Sequence, residues 1–264
     1  MEGREAMDLS QFDINFRLFG VPVRIMPSFW LLTLLFSPFL TRTNGDDQPW
    51  IFGALGWMLA TALSFLLHEF GHALTARELL GASPSVEFGM GTGRTGAFVF
   101  GGVTSWSYER SKVDRRSRVL VSVMGPLAAT LGAALLVVIA ALLGNTILWS
   151  MYGILPVPIP VEWTLLMKGP TPGALFCGYF VYGFVCIGVV WSAFNLLPIY
   201  PLDGSRVSSW LFDRFSVGRR ASLTISLVCS VFFALYFLRS RQFFMTYMFA
   251  FFAFSSFRAL RAGL

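Results

Sequence analysis

Leu66-Leu67-His68-Glu69-Phe70-Gly71-His72-Ala73-Leu74 is the stretch whose reading decides the fold. It contains His-Glu-x-x-His, and its surroundings are almost entirely apolar. From Ile51 to Leu67 the only side chains able to hydrogen-bond are Trp57, Thr61 and Ser64. Residues four apart share a helix face, so His68 and His72 can direct two imidazoles at one metal ion. Glu69 follows the first of them, where a water on that metal would need a base. A soluble metalloprotease sets this motif beside an aqueous cleft. Here the flanks place it in a bilayer.

Composition agrees. Of 264 residues, 55% are hydrophobic and 13% charged, against about 25% charged in a soluble domain. Mean hydropathy is +0.66. The expected fold is an all-α polytopic membrane protein, a single membrane domain over 1–264. The net charge of +6 is read as basic cytoplasmic loops, not as a nucleic-acid surface. Cys177, Cys186 and Cys229 lie in apolar runs without metal-ligand spacing and read as core packing. The N-terminus lacks a small-residue cleavage site and does not read as a signal peptide.

Six spans are expected: about Ile25–Leu40, Trp50–Thr75, Val119–Leu143, Gly173–Leu197, Ala221–Leu238 and Phe243–Phe257. Residues 1–24 read as an amphipathic or extended segment at the membrane surface. Residues 41–49 contain Asn44-Gly45-Asp46-Asp47 and read as a turn. Between spans two and three, Val86 to Trp106 alternates with period two among glycines, which predicts a short β-hairpin or re-entrant loop. Asn145 to Pro172 is proline-rich and reads as a loop. Pro198 and Pro201 must break the fourth span. With the N-terminus inside, 16 of the 20 Lys and Arg residues fall in cytoplasmic segments and 4 outside. That asymmetry places both termini, and the ends of spans bearing His72 and Asp203, toward the cytoplasm.

A catalytic zinc usually has three protein ligands, and this chain has only two histidines. Among the acids, Asp203 falls at the end of an apolar span in the right leaflet. An ionisable group at that depth needs a partner, and a divalent cation supplies one. The broken backbone around it suits the lining of a watery cavity.

His68-Glu69-Phe70-Gly71-His72 together with Asn195-Leu196-Leu197-Pro198-Ile199-Tyr200-Pro201-Leu202-Asp203-Gly204 resembles the site-2 protease family of intramembrane zinc metalloproteases. The resemblance includes both motifs, their order and the intervening Gly125-Pro126. It implies one zinc ion held by His68, His72 and Asp203, with Glu69 as catalytic base. It further implies that Asn195 contacts the substrate or the developing oxyanion. Gly101-Gly102 resembles a glycine pair in the family's membrane-associated loop, which offers an edge strand to an unwound substrate. Ala129 stands where the family usually has asparagine. Gly125, Ala128, Ala129, Gly132 and Ala133 therefore read as a face for close helix packing.

The implied layout is a catalytic core over 50–210 with three spans, flanked by the first span with the N-terminal segment (1–49) and the last two spans (211–264). No PDZ-sized insertion fits between spans three and four. The compact form of the family, closest to its sporulation-type members, is expected in a prokaryotic cell membrane. The expected function is hydrolysis of a peptide bond within or near a transmembrane segment of a membrane-protein substrate, with membrane lipid as surroundings. A regulatory membrane partner or a second copy fits this layout, and neither is specified by it. The rival readings are a divalent-metal transporter, which would need ligands along a path to the far side, and an inactive relative acting as a binding protein.

Overall fold

The computed structural model describes residues 9–35, 50–92, 98–107, 115–152, 155–168, 171–212 and 218–262. Among them, four helices are long and apolar enough to cross a membrane: Ile51–Leu80, Arg116–Leu142, Pro172–Asn195 and Gly218–Arg239. These correspond to expected spans two to five. The first expected span appears as α1 (Pro27–Leu35), with Pro27 at the helix start, where its missing N–H costs nothing. The rest of that span and the expected turn at 41–49 lie outside the described residues. The sixth expected span falls on the 19-residue α9 (Phe243–Arg261), which is not among those four helices.

The chain is mostly helical, but all-α was too narrow. A four-stranded sheet runs in the order β1 (Ile14–Leu18), β2 (Val21–Ile25), β3 (Ser83–Thr92), β4 (Phe98–Ser107). β1 and β2 form an antiparallel hairpin pairing Phe16 with Val23. β2 then pairs parallel with β3, Val23 opposite Val86. β3 and β4 are antiparallel, with Phe88 opposite Gly102, so the expected β-hairpin is what forms in place of a re-entrant loop. The N-terminal strands follow the alternation of Ile14, Phe16 and Leu18, and of Val21, Val23 and Ile25. A second correction is the proline-rich loop, which contains an antiparallel hairpin of β5 (Ile147–Tyr152) and β6 (Leu155–Pro160). Its prolines pair opposite Ile147, Trp149 and Met151, and Val161 N–H donates to Thr146 at 2.9 Å. The alternate residues therefore carry the ladder, so the prolines remove none of its donors.

α2 (Trp50–Leu80) is the central helix. One side meets α3 (Arg115–Leu142), where the expected small-residue face serves its purpose: a Cβ on Gly71 would lie 2.2 Å from the Met124 carbonyl oxygen and 2.9 Å from Ala128. The same face meets the fourth span, since Gly188 lies against Ala129 and Ala133. Where lipid is as apolar as leucine, such close backbone approach is what holds helices together. The sheet packs on α1 and α2 through Val21, Val23, Phe29, Phe65, Phe70, Val86 and Phe88. Arg77, near the end of α2, donates to the Phe19 carbonyl at 2.8 Å and pins the β1–β2 turn to the motif helix.

The fourth span is α5 (Pro172–Cys186), a wide π-type turn at Ile187–Trp191, and α6 (Ser192–Asn195). Thr171 caps α5 by accepting from Ala174 N–H at 3.2 Å. α4 (Val161–Leu165) precedes it. The helix breaks after Asn195 as the prolines require, and α7 (Asp203–Phe212) starts on Asp203 itself. α8 (Gly218–Arg239) and α9 close around Ile199, which is fully buried with Met248, Phe249 and Phe252.

Candidate metal centre

Two separate segments bring three donor atoms to one point. His68 Nε2 lies 3.2 Å from His72 Nε2 and 3.2 Å from Asp203 Oδ2, and His72 Nε2 lies 3.0 Å from that oxygen. All three residues are buried. The helical i, i+4 relation supplies the first pair, and the break after Asn195 turns the chain so that Asp203 meets it.

The triangle fits a metal better than a hydrogen-bond network. Nδ1 of His72 lies 2.6 Å from the Val121 carbonyl oxygen, which can only accept. Nδ1 therefore carries the proton, and Nε2 of the neutral ring presents a lone pair. That lone pair faces a carboxylate oxygen, two acceptors with no proton between them, and Nε2 of His68 lies beside both. Tetrahedral coordination with bonds of about 2.0–2.1 Å separates ligand atoms by about 3.3 Å, close to the distances seen. Nδ1 of His68 is a buried atom without a hydrogen-bond partner among the described residues.

α3 shapes this corner. Pro126 lies within it and has no N–H to return to the Ser122 carbonyl, one residue after the Val121 carbonyl that meets His72. Gly125 lets the imidazole lie flat on the helix backbone.

Glu69 is 6% exposed. Its Oε2 accepts from Thr104 Oγ1 at 2.6 Å, and the same hydroxyl lies 3.0 Å from the Glu69 carbonyl. Thr104 is two residues beyond Gly102, and alternation along β4 turns both toward Glu69. A Cβ on Gly102 would come within 2.6 Å of Glu69 Oε1. Gly101 has φ +85° and lies against Phe65, not against Glu69. β4 is thus an edge strand beside a buried carboxylate. Asn195 is buried at the end of α6, with its Nδ2 donating to the Trp191 carbonyl at 3.0 Å. On the outer side of Asp203, Arg206 Nη1 lies 3.8 Å from Oδ1. The Arg206 guanidinium stacks 5.3 Å over the Trp106 ring of β4 and so bridges α7 to the sheet.

Thr104, Arg206 and the Val121 carbonyl were missed by sequence reasoning. Thr104 alone had a signal, as the residue sharing a strand face with Gly102.

The structure is similar to the site-2 protease from Methanocaldococcus jannaschii, with a TM-score of 0.51 at 17% identity, covering 94% of this chain and 95% of that one. No curated protein sequence matches. The profile of peptidase family M50 matches residues 57–238, from within α2 to the end of α8. That stretch contains both halves of the His–His–Asp cluster and Glu69. With four membrane-length helices, the chain belongs to peptidase family M50, the site-2 protease family of metalloproteases, as an integral membrane protein.

Proposed function

We propose that this protein is an intramembrane zinc metalloprotease that cleaves a membrane-protein substrate within or near a transmembrane segment, the reaction of regulated intramembrane proteolysis. The observation that carries the reading is the meeting of His68 Nε2, His72 Nε2 and Asp203 Oδ2 within 3.2 Å of one another inside a helical membrane protein. These three residues hold one zinc ion. When bound, the ion supplies a Lewis acid that acidifies water to a pKa of about 7 and polarises the scissile carbonyl.

The remaining steps belong to the chain. Glu69 takes the water's proton and delivers it to the leaving amine. Thr104 holds Oε2 of Glu69, which leaves Oε1 as the oxygen to act as the base. A substrate helix must unwind before its carbonyls are accessible. The edge of β4 at Gly101-Gly102 then receives the extended segment by strand addition, with its backbone groups as partners. Asn195 contacts the substrate near the developing oxyanion. The catalytic core is 50–210, and the flanking segments complete six spans with both termini and the site toward the cytoplasm, a reading that the 16 to 4 division of basic residues supports.

The test is co-expression with candidate single-span substrates, comparing wild type with Glu69→Gln, His68→Ala and Asp203→Ala. Cleavage lost with zinc retained is expected for Glu69→Gln, because a base is not a ligand. His68→Ala and Asp203→Ala lose both. Cleavage persisting in Glu69→Gln, or zinc lost from it as fully as from His68→Ala, rules out the role given to Glu69.

A further inference from the structure

α8 and α9 supply no ligand and no base, yet they grip the loop that carries Asp203. Tyr200 N–H donates to Ser226 Oγ at 2.6 Å. The hydroxyls of Ser226 and Ser256 are 2.7 Å apart, and Ser256 Oγ donates to the Phe252 carbonyl at 2.9 Å. A serine hydroxyl has one proton. Since that of Ser256 goes to Phe252, the proton between the two serines comes from Ser226. Every donor is then assigned, and the chain runs from Tyr200 through Ser226 and Ser256 to Phe252.

Both serines are fully buried, so no water competes for these bonds. Ile199, beside Tyr200, plugs into Met248, Phe249 and Phe252. The loop is therefore held by a polar bond and an apolar contact three and four residues ahead of Asp203. Ile199 and Leu202 N–H bond within the loop, to the Leu197 and Ile199 carbonyls, and the Tyr200 N–H takes its partner from outside it.

Ser226 has neighbours that sharpen the point. Ser222 and Ser230 share its helix face and are equally buried, but they bond elsewhere. Ser222 lies 2.8 Å from Ser208 Oγ, and Ser230 donates to the Ser226 carbonyl at 2.7 Å. Of the three, Ser226 is the one whose hydroxyl bonds to the loop.

We propose that Ser226 is a positioning residue for Asp203, setting through the Tyr200 amide how well the third ligand meets the histidine pair. This rests on the reading of His68, His72 and Asp203 as a zinc site. Zinc affinity is then governed in part by a side chain on the fifth span.

The experiment uses the full-length protein in detergent, with zinc affinity measured by competition against a chelator and thermal melting measured without zinc. Ser226→Ala is expected to weaken zinc binding by up to about tenfold, the low end of what losing a direct partner of a metal ligand costs, because Ser226 acts on Asp203 through the loop backbone. Ser226→Thr, which keeps the hydroxyl, restores it, and Ser230→Ala leaves it unchanged. Ser226→Cys, of similar size but with a weak acceptor, falls between and carries the comparison with Ser226→Thr if the alanine variant does not fold. Equal affinity in wild type and the Ser226→Ala or Ser226→Cys variants overturns the proposal, as does a loss in Ser230→Ala as large as theirs. A wild type that binds no zinc, or binds it no better than His68→Ala, overturns the reading of the site instead.

Discussion

A Cβ placed on Gly125 would stand 2.2 Å from Nε2 of His72 and 2.3 Å from its Cε1. The ring cannot retreat far, because its Nδ1 is tied to Val121 on the same helix. α3 therefore holds the imidazole from two positions one turn apart.

Gly125→Ala is accordingly expected to remove bound zinc, by at least the roughly 10- to 100-fold typical of damage just outside a metal's ligands. Metal content of the purified protein checks this. Gly132→Ala is the comparison, since a Cβ there would press on the far end of Leu67, a flexible side chain, and zinc should be retained. Loss of zinc in both variants would mean that helix spacing, not the imidazole, is the sensitive feature.

Thr104→Val keeps the shape of the side chain and removes the hydroxyl that holds Glu69. Its cleavage rate should fall by about 10-fold or more, in the range of general acid–base contributions, with zinc content unchanged. Thr104→Ser should recover most of the rate. A substrate-cleavage assay paired with metal analysis separates this from a folding defect, which would lower both readings together.

The β5–β6 hairpin has its own acid-sensitive tie. Thr146 offers its backbone N–H at 2.6 Å and its hydroxyl at 2.7 Å to the Glu162 carboxylate, and these bonds lower the pKa of Glu162 below its ordinary value. A depressed carboxylate stabilises fully above its unfolded pKa of about 4.3 and loses that contribution as the pH falls through the lower native value. The protection of β5 and β6 amides, relative to their intrinsic exchange rates, should therefore fall below about pH 4.3 in wild type. In Glu162→Gln the exchange should lack this acid step, and proteolytic activity at neutral pH should match wild type.

The parts of the site that were legible in the sequence have strong local causes. His68 and His72 follow from helical spacing inside an apolar run, and Asp203 from the shortage of other acids at the ends of apolar spans. The break after Asn195 was written in two prolines. What stayed hidden depends on contacts distant in sequence. Val23 meets Val86 in a parallel pairing that no turn signal announces. Thr104 looks like any polar strand residue until Gly102 places the carboxylate beneath it. Ser226 looks like a small residue in a membrane helix, and its role appears only when the loop 26 residues earlier is folded against it. The proline-rich stretch misled for another reason: its prolines alternate, so they fall on the strand positions that donate no ladder bond.

The order of the four-stranded sheet gives β1 and β2 a mechanical part. Among the described residues β4 has no partner on its outer edge, and a guest strand arriving there would pull on β3. β3 is backed by β2, and the turn after β1 is fastened by Arg77 to the same helix that carries His68, Glu69 and His72. Tension at the open edge thus returns through the sheet to the helix where it began, a closed frame in which the receiving strand and Glu69 recoil together and keep their spacing.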